Sequence, residues 1–178
     1  MRTRRSAPGF TIIELMIVMV IVGVMVALAG PNIRDLMIRI RVKAAASDLH
    51  SSLILARSEA IKRNNVTQVV PVSAANWAQG WSVQTTIPPS PTIITLSQQQ
   101  SYENVTFTTT NAAYAAAAVA NVTFSGNGRE TGSAGAGIAF VIQSPGNPQI
   151  KARCVVLDPS GRPAVRQDAD NNPVNGCN

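Results

Sequence analysis

One feature constrains this chain more than any other: an apolar run from Leu15 to Gly30, entered through Gly9-Phe10-Thr11-Ile12-Ile13-Glu14. Nine residues carrying three arginines, Arg2, Arg4 and Arg5, precede it and end at a glycine. So greasy a stretch must be covered by lipid or by protein. A single acid, Glu14, stands near its start. An unpaired charge in hydrocarbon costs on the order of several kcal/mol. Glu14 therefore calls for a partner cation or for neutralisation, and a bare anchor needs neither.

Two simpler readings compete. A secretory signal peptide has a basic start, an apolar middle and a small-residue cleavage site. Ala27-Leu28-Ala29 supplies such a site, but Glu14 would then lie inside the apolar region and Pro31 just past the cut. A plain transmembrane anchor needs about 20 residues. Leu15 to Gly30 gives 16, and Phe10 to Ile13 complete the length only if Glu14 is tolerated. Three arginines precede the run, and Arg34, Arg39, Arg41 and Lys43 follow it against Asp35. The positive-inside rule alone is ambiguous on such a pattern.

Gly9-Phe10-Thr11-Ile12-Ile13-Glu14-Leu15 resembles the prepilin-peptidase site of type IV pilins and type II secretion pseudopilins. The resemblance implies cleavage after Gly9 and N-methylation of the new terminus, Phe10. It also implies that Glu14 sets register during assembly, paired with the Phe10 ammonium of another subunit. Such a pair is strong in low dielectric only with good geometry. The implied partners are other pilins or pseudopilins in a filament, the prepilin peptidase, an inner-membrane assembly platform and a separate motor ATPase. The implied location is the bacterial inner membrane, single-pass with a periplasmic C-terminal domain, and then the filament. The segment Ala56-Arg57-Ser58-Glu59-Ala60-Ile61-Lys62-Arg63-Asn64 resembles the GspH/FimT branch of minor pilins and pseudopilins.

Composition agrees with this placement. The 178 residues carry a formal charge of +6, and losing the three leader arginines leaves +3. The basicity is thus weak evidence for a nucleic-acid partner. Charged residues make up 13%, aromatics 4%, and short polar residues abound beyond residue 64, as suits a β-rich extracytoplasmic domain. The two cysteines, Cys154 and Cys177, have 22 residues between them. An oxidising periplasm would pair them, closing a loop worth about 3 kcal/mol in the chain-entropy model; two buried free thiols are the alternative. One histidine and no second ligand cluster argue against a metal site.

Residues 10 to about 64 read as one long helix, with a kink expected at Pro31. Beyond it, Val42, Ala45, Leu49, Leu53, Ala56 and Ala60 recur at spacings of three and four and form a packing stripe. Arg41, Asp48, Ser52 and Glu59 fall on the opposite face, and Asn64-Asn65 ends the helix. Short strands are predicted at 67–72, 77–83, 93–96, 105–109, 122–124, 138–142 and 154–157. Turns are predicted at Ser125-Gly126-Asn127-Gly128 and Ser144-Pro145-Gly146-Asn147, and a rigid loop at Pro88-Pro89-Ser90-Pro91. Trp77 and Trp81 are assigned to the core rather than an edge. The alanine-rich stretch from Asn111 to Asn121 fits a short helix or a surface loop.

The fold class is therefore α+β: a long N-terminal helix packed on a small, mostly antiparallel sheet, as in pilins. The domains are a leader at 1–9, a transmembrane or filament-core helix at 10–33, an amphipathic helix at 34–64 and a β-rich domain at 65–178.

No catalytic constellation is present, and no cofactor is expected. His50 lies beside Leu49 on the helix, a packing or solvent position. Gly126-Asn127-Gly128 and Gly132 to Gly137 lack the lysine and the following helix of a phosphate loop. An enzymatic role ranks last. Lys151, Arg153, Arg162 and Arg166 cluster near the C-terminus. The resembling family includes minor pilins that bind DNA through a C-terminal Gly-Arg-x-Arg stretch. Here Gly161-Arg162 match, Ala164 stands where the second arginine belongs, and Arg166 follows two residues later. In an extended segment Arg162 and Arg166 share a face about 13 Å apart. The competing reading is a tight turn at Asp158-Pro159-Ser160-Gly161 between two strands, with Arg162 solvated. The leading function is a minor pilin or pseudopilin near the filament tip or initiating complex, serving pilus assembly or protein secretion. The alternative is a sequence-independent DNA receptor on a pilus.

Overall fold

A computed structural model describes residues 9–87, 92–111, 118–133 and 137–169, without the side chains of 28–32 and 111. Several sequence expectations lie outside the described residues: leader positions 1–8, the loop Pro88–Pro91, alanine-rich positions 112–117, the Pro31 side chain and its kink, and Cys177. The chain divides into two compact units, Met1–Met37 and Ile38–Asn178.

Helix α1 spans Ile12–Arg63, 52 residues, as the apolar run and the stripe beyond it predict. Thr11 starts it: its Oγ1 accepts the Glu14 N–H at 3.3 Å and its carbonyl the Leu15 N–H at 3.2 Å. An N-terminal threonine thus satisfies an otherwise orphaned donor. In the first unit the apolar side chains from Ile12 to Val26 are exposed on every side of the helix. At the other end Asn64 adopts a left-handed conformation, φ 46°. The Asn65 N–H bonds the Ala60 carbonyl at 3.1 Å and the Asn64 N–H that of Ile61 at 3.2 Å. These two bonds form a Schellman stop, for which asparagine is the usual substitute for glycine.

In the second unit every member of the predicted stripe is buried: Val42, Ala45, Leu49, Leu53, Ala56 and Ala60. Among the described residues eight strands follow: β1 (Thr67–Ser73), β2 (Asn76–Ile87), β3 (Thr92–Gln99), β4 (Thr106–Asn111), β5 (Val122–Phe124), β6 (Ile138–Gln143), β7 (Arg153–Leu157) and β8 (Pro163–Gln167). All seven predicted strands are present, most of them longer by a few residues. The last strand follows the turn at Asp158–Gly161. Where the sequence predicts one sheet, the strands form two, in the orders β3-β2-β1-β5 and β4-β6-β7-β8. Every pairing in both is antiparallel.

Aromatic side chains fill the space where the sheets meet. Trp77 of β2 meets Phe140 of β6 edge-on at 4.9 Å, and Trp81 meets Phe107 of β4 at 5.7 Å. Both tryptophans are fully buried, as the core assignment requires. Each also places its N–H: Trp77 Nε1 donates to the Val119 carbonyl at 3.0 Å and Trp81 Nε1 to Ser52 Oγ at 2.9 Å. A buried indole usually needs such an acceptor.

That last bond corrects the sequence reading of the helix. Asp48 and Ser52 do not belong to a solvated face. Ser52 accepts from Trp81, and Asp48 accepts from the Tyr102 hydroxyl at 2.6 Å. Small polar residues beside an apolar stripe satisfy the polar tips of the aromatics that cover it, which periodicity alone does not reveal. One cluster of buried side chains joins the helix stripe to both sheets. On the other face of the second sheet lies a smaller cluster of Ala139, Val141, Ala152 and Cys154. β6 is therefore buried on both faces, unusual for an antiparallel strand.

Candidate assembly segment and basic surfaces

The proposed processing junction is open. A side chain added at Gly9 would meet nothing within 4 Å, so the chain's own packing does not demand glycine there. Phe10 is 84% exposed, and Glu14 lies one helical turn from the Thr11 cap. Among the described residues no cation lies within ion-pair distance of the Glu14 carboxylate; the two ion pairs found there both belong to Glu59. Among the described residues no helix is long and apolar enough to cross a membrane by itself; only 16 residues of the apolar segment, 12–27, are described with their side chains.

The second unit carries a feature that sequence reasoning missed. Ile40, Ala44, Ser47, Ser51, Ile54, Ser58 and Ile61 are all exposed on α1. Their spacing alternates four and three, the seam of a helix that packs on another helix. Large apolar groups stand at both ends, with Ile54 48% and Ile61 50% exposed, and small residues lie between. The signal was legible as a second run of the same spacing beside the stripe of Leu49 and Leu53.

The basic residues near the C-terminus are not one surface. Asp158–Gly161 forms the tight turn that the sequence allows: the Gly161 N–H bonds the Asp158 carbonyl at 2.9 Å, with Gly161 at φ 79°. The Asp158 carboxylate accepts from Ser160 Oγ at 2.5 Å and from the Arg162 N–H at 3.2 Å. The Ser160 bond above all, against a smaller opposing effect of burial, holds Asp158 below the usual carboxylate range. It therefore stays negative beside Arg162. Along the β7–β8 pair, Arg166 stands opposite Cys154 and Arg153 opposite Gln167. Neighbouring positions of a strand point to opposite faces, so Arg153 and Arg166 project to opposite sides of the sheet. Arg162 and Arg166 are exposed. Lys151 and Arg153 instead border a cavity with Arg39 of α1. The expected four-residue basic patch is thus two separate pairs.

Among the described residues no group of three His, Cys, Asp or Glu side chains could hold a metal ion. Cys154 is fully buried, and no described cysteine is free. His50 is half-buried on the helix.

Residues 45–161 match the family model described as type II transport protein GspH. The chain belongs to the GspH family. Residues 4–30 match the prokaryotic N-terminal methylation motif, which spans the Gly9–Phe10 junction and the apolar run. The fold of this family member is shared with the type IV minor pilin FimU of Pseudomonas aeruginosa, at 20% identity and a TM-score of 0.59, covering 79% of this chain and 97% of that one. It is shared too with the minor pseudopilin EpsH from the type 2 secretion system of Vibrio cholerae, at 12% identity and a TM-score of 0.52, covering 74% and 99%. No curated sequence matches the chain.

The GspH match begins at Ala45, within the buried stripe, and ends at the Gly161 turn. It therefore covers the helix half packed on the sheets and seven of the eight described strands, while the methylation motif covers the exposed apolar run.

Proposed function

We propose that this GspH-family chain is a minor subunit of a type IV pilus or of a type II secretion pseudopilus, acting in or near the filament tip or initiating complex, and not an enzyme. The observation that carries this reading is the helix that the chain leaves bare: exposed apolar residues surround Ile12 to Val26, headed by Phe10 and the lone acid Glu14. A helix apolar all round requires a membrane or other protein as its surroundings. The methylation motif over the same residues supports first the one and then the other. In this reading the leader 1–9 stays cytoplasmic, the domain is periplasmic, and prepilin peptidase cuts after Gly9. Phe10 is then methylated, and its ammonium pairs with Glu14 of a neighbouring subunit as the assembly platform extracts the chain. The exposed seam from Ile40 to Ile61 supplies a second strip for helices of other subunits. Cys154, buried and not free, pairs with Cys177, the only other cysteine of the sequence.

The test is the mass of the product purified from its native membrane. The expected chain starts at a methylated Phe10. Gly9→Val should leave the leader in place. Glu14→Ala should be cleaved normally yet largely lost from sheared filaments or crosslinked pseudopili. A native chain starting at Met1, or normal incorporation of the Glu14→Ala chain, overturns the reading.

A second reading, sequence-independent DNA contact, now rests on Arg162 and Arg166 alone. Both are exposed, and among the described residues no carboxylate lies within ion-pair distance of either guanidinium, although the Asp158 carboxylate beside Arg162 offsets part of its charge. Full-length chain in neutral detergent should then retain duplex DNA with a steep loss as salt rises. Retention unchanged by Arg162→Ala with Arg166→Ala removes this function.

A further inference from the structure

Arg39, Lys151 and Arg153 reach one cavity from three different elements. Arg39 comes from α1, Lys151 from the segment before β7, and Arg153 from β7 itself. Val42, Gln149, Ile150 and Gln167 complete the lining of a space of about 340 Å³. Val42 and Ile150 are buried, so apolar side chains back the space while the charged ones border it. No acidic side chain of the described residues lines it. Among the described residues, none of the three cations has a carboxylate within ion-pair distance. Lys151 Nζ makes only a long bond among the described residues, to the Ala169 carbonyl at 3.5 Å.

Three like charges around one space repel one another, and this arrangement is uphill unless water or an anion fills it. The chain holds other surface cations in ion pairs: Lys62 and Arg63 both reach Glu59. Among the described residues no such ion pair forms at the cavity. Arginine presents a planar fork of donors suited to oxyanions, and lysine adds a compact point charge. A carboxylate is planar, carries one charge and would balance one of the three. A phosphate ester is tetrahedral, carries up to two charges and offers oxygens in several directions. Donors arriving from a helix, a loop and a strand match the tetrahedral group better. We infer that the Arg39–Lys151–Arg153 cavity is a binding site for a phosphate ester, such as a glycerophosphate head group. The site is separate from Arg162, and from Arg166 on the opposite face of the β7–β8 pair, and does not depend on the filament reading.

Titration calorimetry of the full-length chain in a neutral detergent tests it. The probes are inorganic phosphate, glycerol 3-phosphate and phosphatidylglycerol carried in the detergent micelle. Wild type should bind glycerol 3-phosphate, and Arg39→Gln/Lys151→Gln/Arg153→Gln should weaken that binding by about tenfold or more. Arg162→Gln/Arg166→Gln should leave it unchanged. Binding of phosphatidylglycerol about tenfold tighter than glycerol 3-phosphate identifies a lipid head group as the source. Similar binding of the two identifies a free phosphate ester. Absence of heat with all three probes overturns the inference, as does equal binding by the triple variant. Duplex DNA binding that the triple change abolishes, with no binding of the small esters, also overturns it in favour of a nucleic-acid surface. Should the triple variant lose its buried-tryptophan emission, Arg39→Gln alone, at an exposed helix position, must weaken glycerol 3-phosphate binding by about threefold. An unchanged affinity there ends the proposal.

Discussion

The two units use apolar sequence in opposite ways. In the second, Val42, Ala45, Leu49, Leu53, Ala56 and Ala60 occupy one stripe of the helix, and the chain covers that stripe with its own two sheets. In the first, the apolar side chains from Ile12 to Val26 are exposed on every side of the helix. Hydrophobic content alone does not separate the two. What separates them is periodicity: an apolar stripe with polar flanks can be buried by one partner layer, whereas an all-round apolar helix must be surrounded.

Substitutions on the two stretches should break or sharpen that contrast. Leu53 is fully buried, and Leu53→Ala removes methyl groups from a closed core, at a cost of about 2–5 kcal/mol. Both tryptophans of the chain are buried in the second unit, so their fluorescence during denaturant unfolding reads its stability. Ile17→Ala, on the bare helix, should leave that transition where it is. An equal loss from both substitutions would dissolve the distinction between the units.

The same contrast explains what the sequence could and could not convey. The stripe from Val42 to Ala60 was legible because a helix repeats its faces every three or four residues. The Asn64 stop was legible from residue chemistry. Strand positions followed from alternation and turn residues, and Asp158-Pro159-Ser160-Gly161 was legible as a turn. Partition of the strands into two sheets was not, because it depends on Trp77 and Trp81 meeting Phe140 and Phe107 from far along the chain. Nor was the division of the basic cluster. Arg153 and Arg166 sit on facing strands one register position out of step, and that step sends them to opposite faces. Arg39 joins Lys151 and Arg153 across more than a hundred residues, which no local pattern records. The seam from Ile40 to Ile61 was visible in principle and was hidden by the stronger stripe beside it.

The second cover, on the far face of the second sheet, can be tested in turn. The small cluster there includes the buried Cys154. The proposed pairing with Cys177 would close a loop with 22 residues between the cysteines, so Cys177→Ser should lower stability by about 3 kcal/mol. A reductant should reproduce that loss in wild type and change nothing in the variant. Equal stability of wild type with and without reductant would mean that the thiols are free and that packing alone closes this face.

A smaller effect is expected where the β7–β8 turn meets the rest of the domain. Gly161 has φ 79°, and a side chain there would run into the Gly128 carbonyl. That same carbonyl accepts from Arg57 Nε at 3.1 Å, so the turn, the loop after β5 and α1 converge on one oxygen. Gly161→Ala combines a disfavoured backbone conformation with a clash and should cost about 2 kcal/mol in denaturant unfolding. A neutral result would show that this corner yields easily and contributes little to enclosing the helix.

The smallest effect concerns the polar edge of the helix cover. The Tyr102 hydroxyl donates to Asp48 at 2.6 Å and accepts from Gln99 Nε2 at 2.8 Å, tying the segment after β3 to α1. Burial first, and then the Asp48 carboxylate, raise the Tyr102 phenol above its ordinary value. The folded state therefore holds this proton more tightly than the unfolded chain, whose phenol ionises at about pH 10. Where the folded state binds more protons, stability falls as pH rises. The contribution is complete below about pH 10 and is lost as pH climbs above it. Tyr102→Phe should cost about 1 kcal/mol at neutral pH, since the residue is only half-buried. It should also flatten the alkaline decline of the wild-type unfolding midpoint. An alkaline decline of the same steepness in the variant would assign that loss to other groups. It would leave the Asp48–Tyr102 bond as a neutral contact rather than part of what encloses the helix.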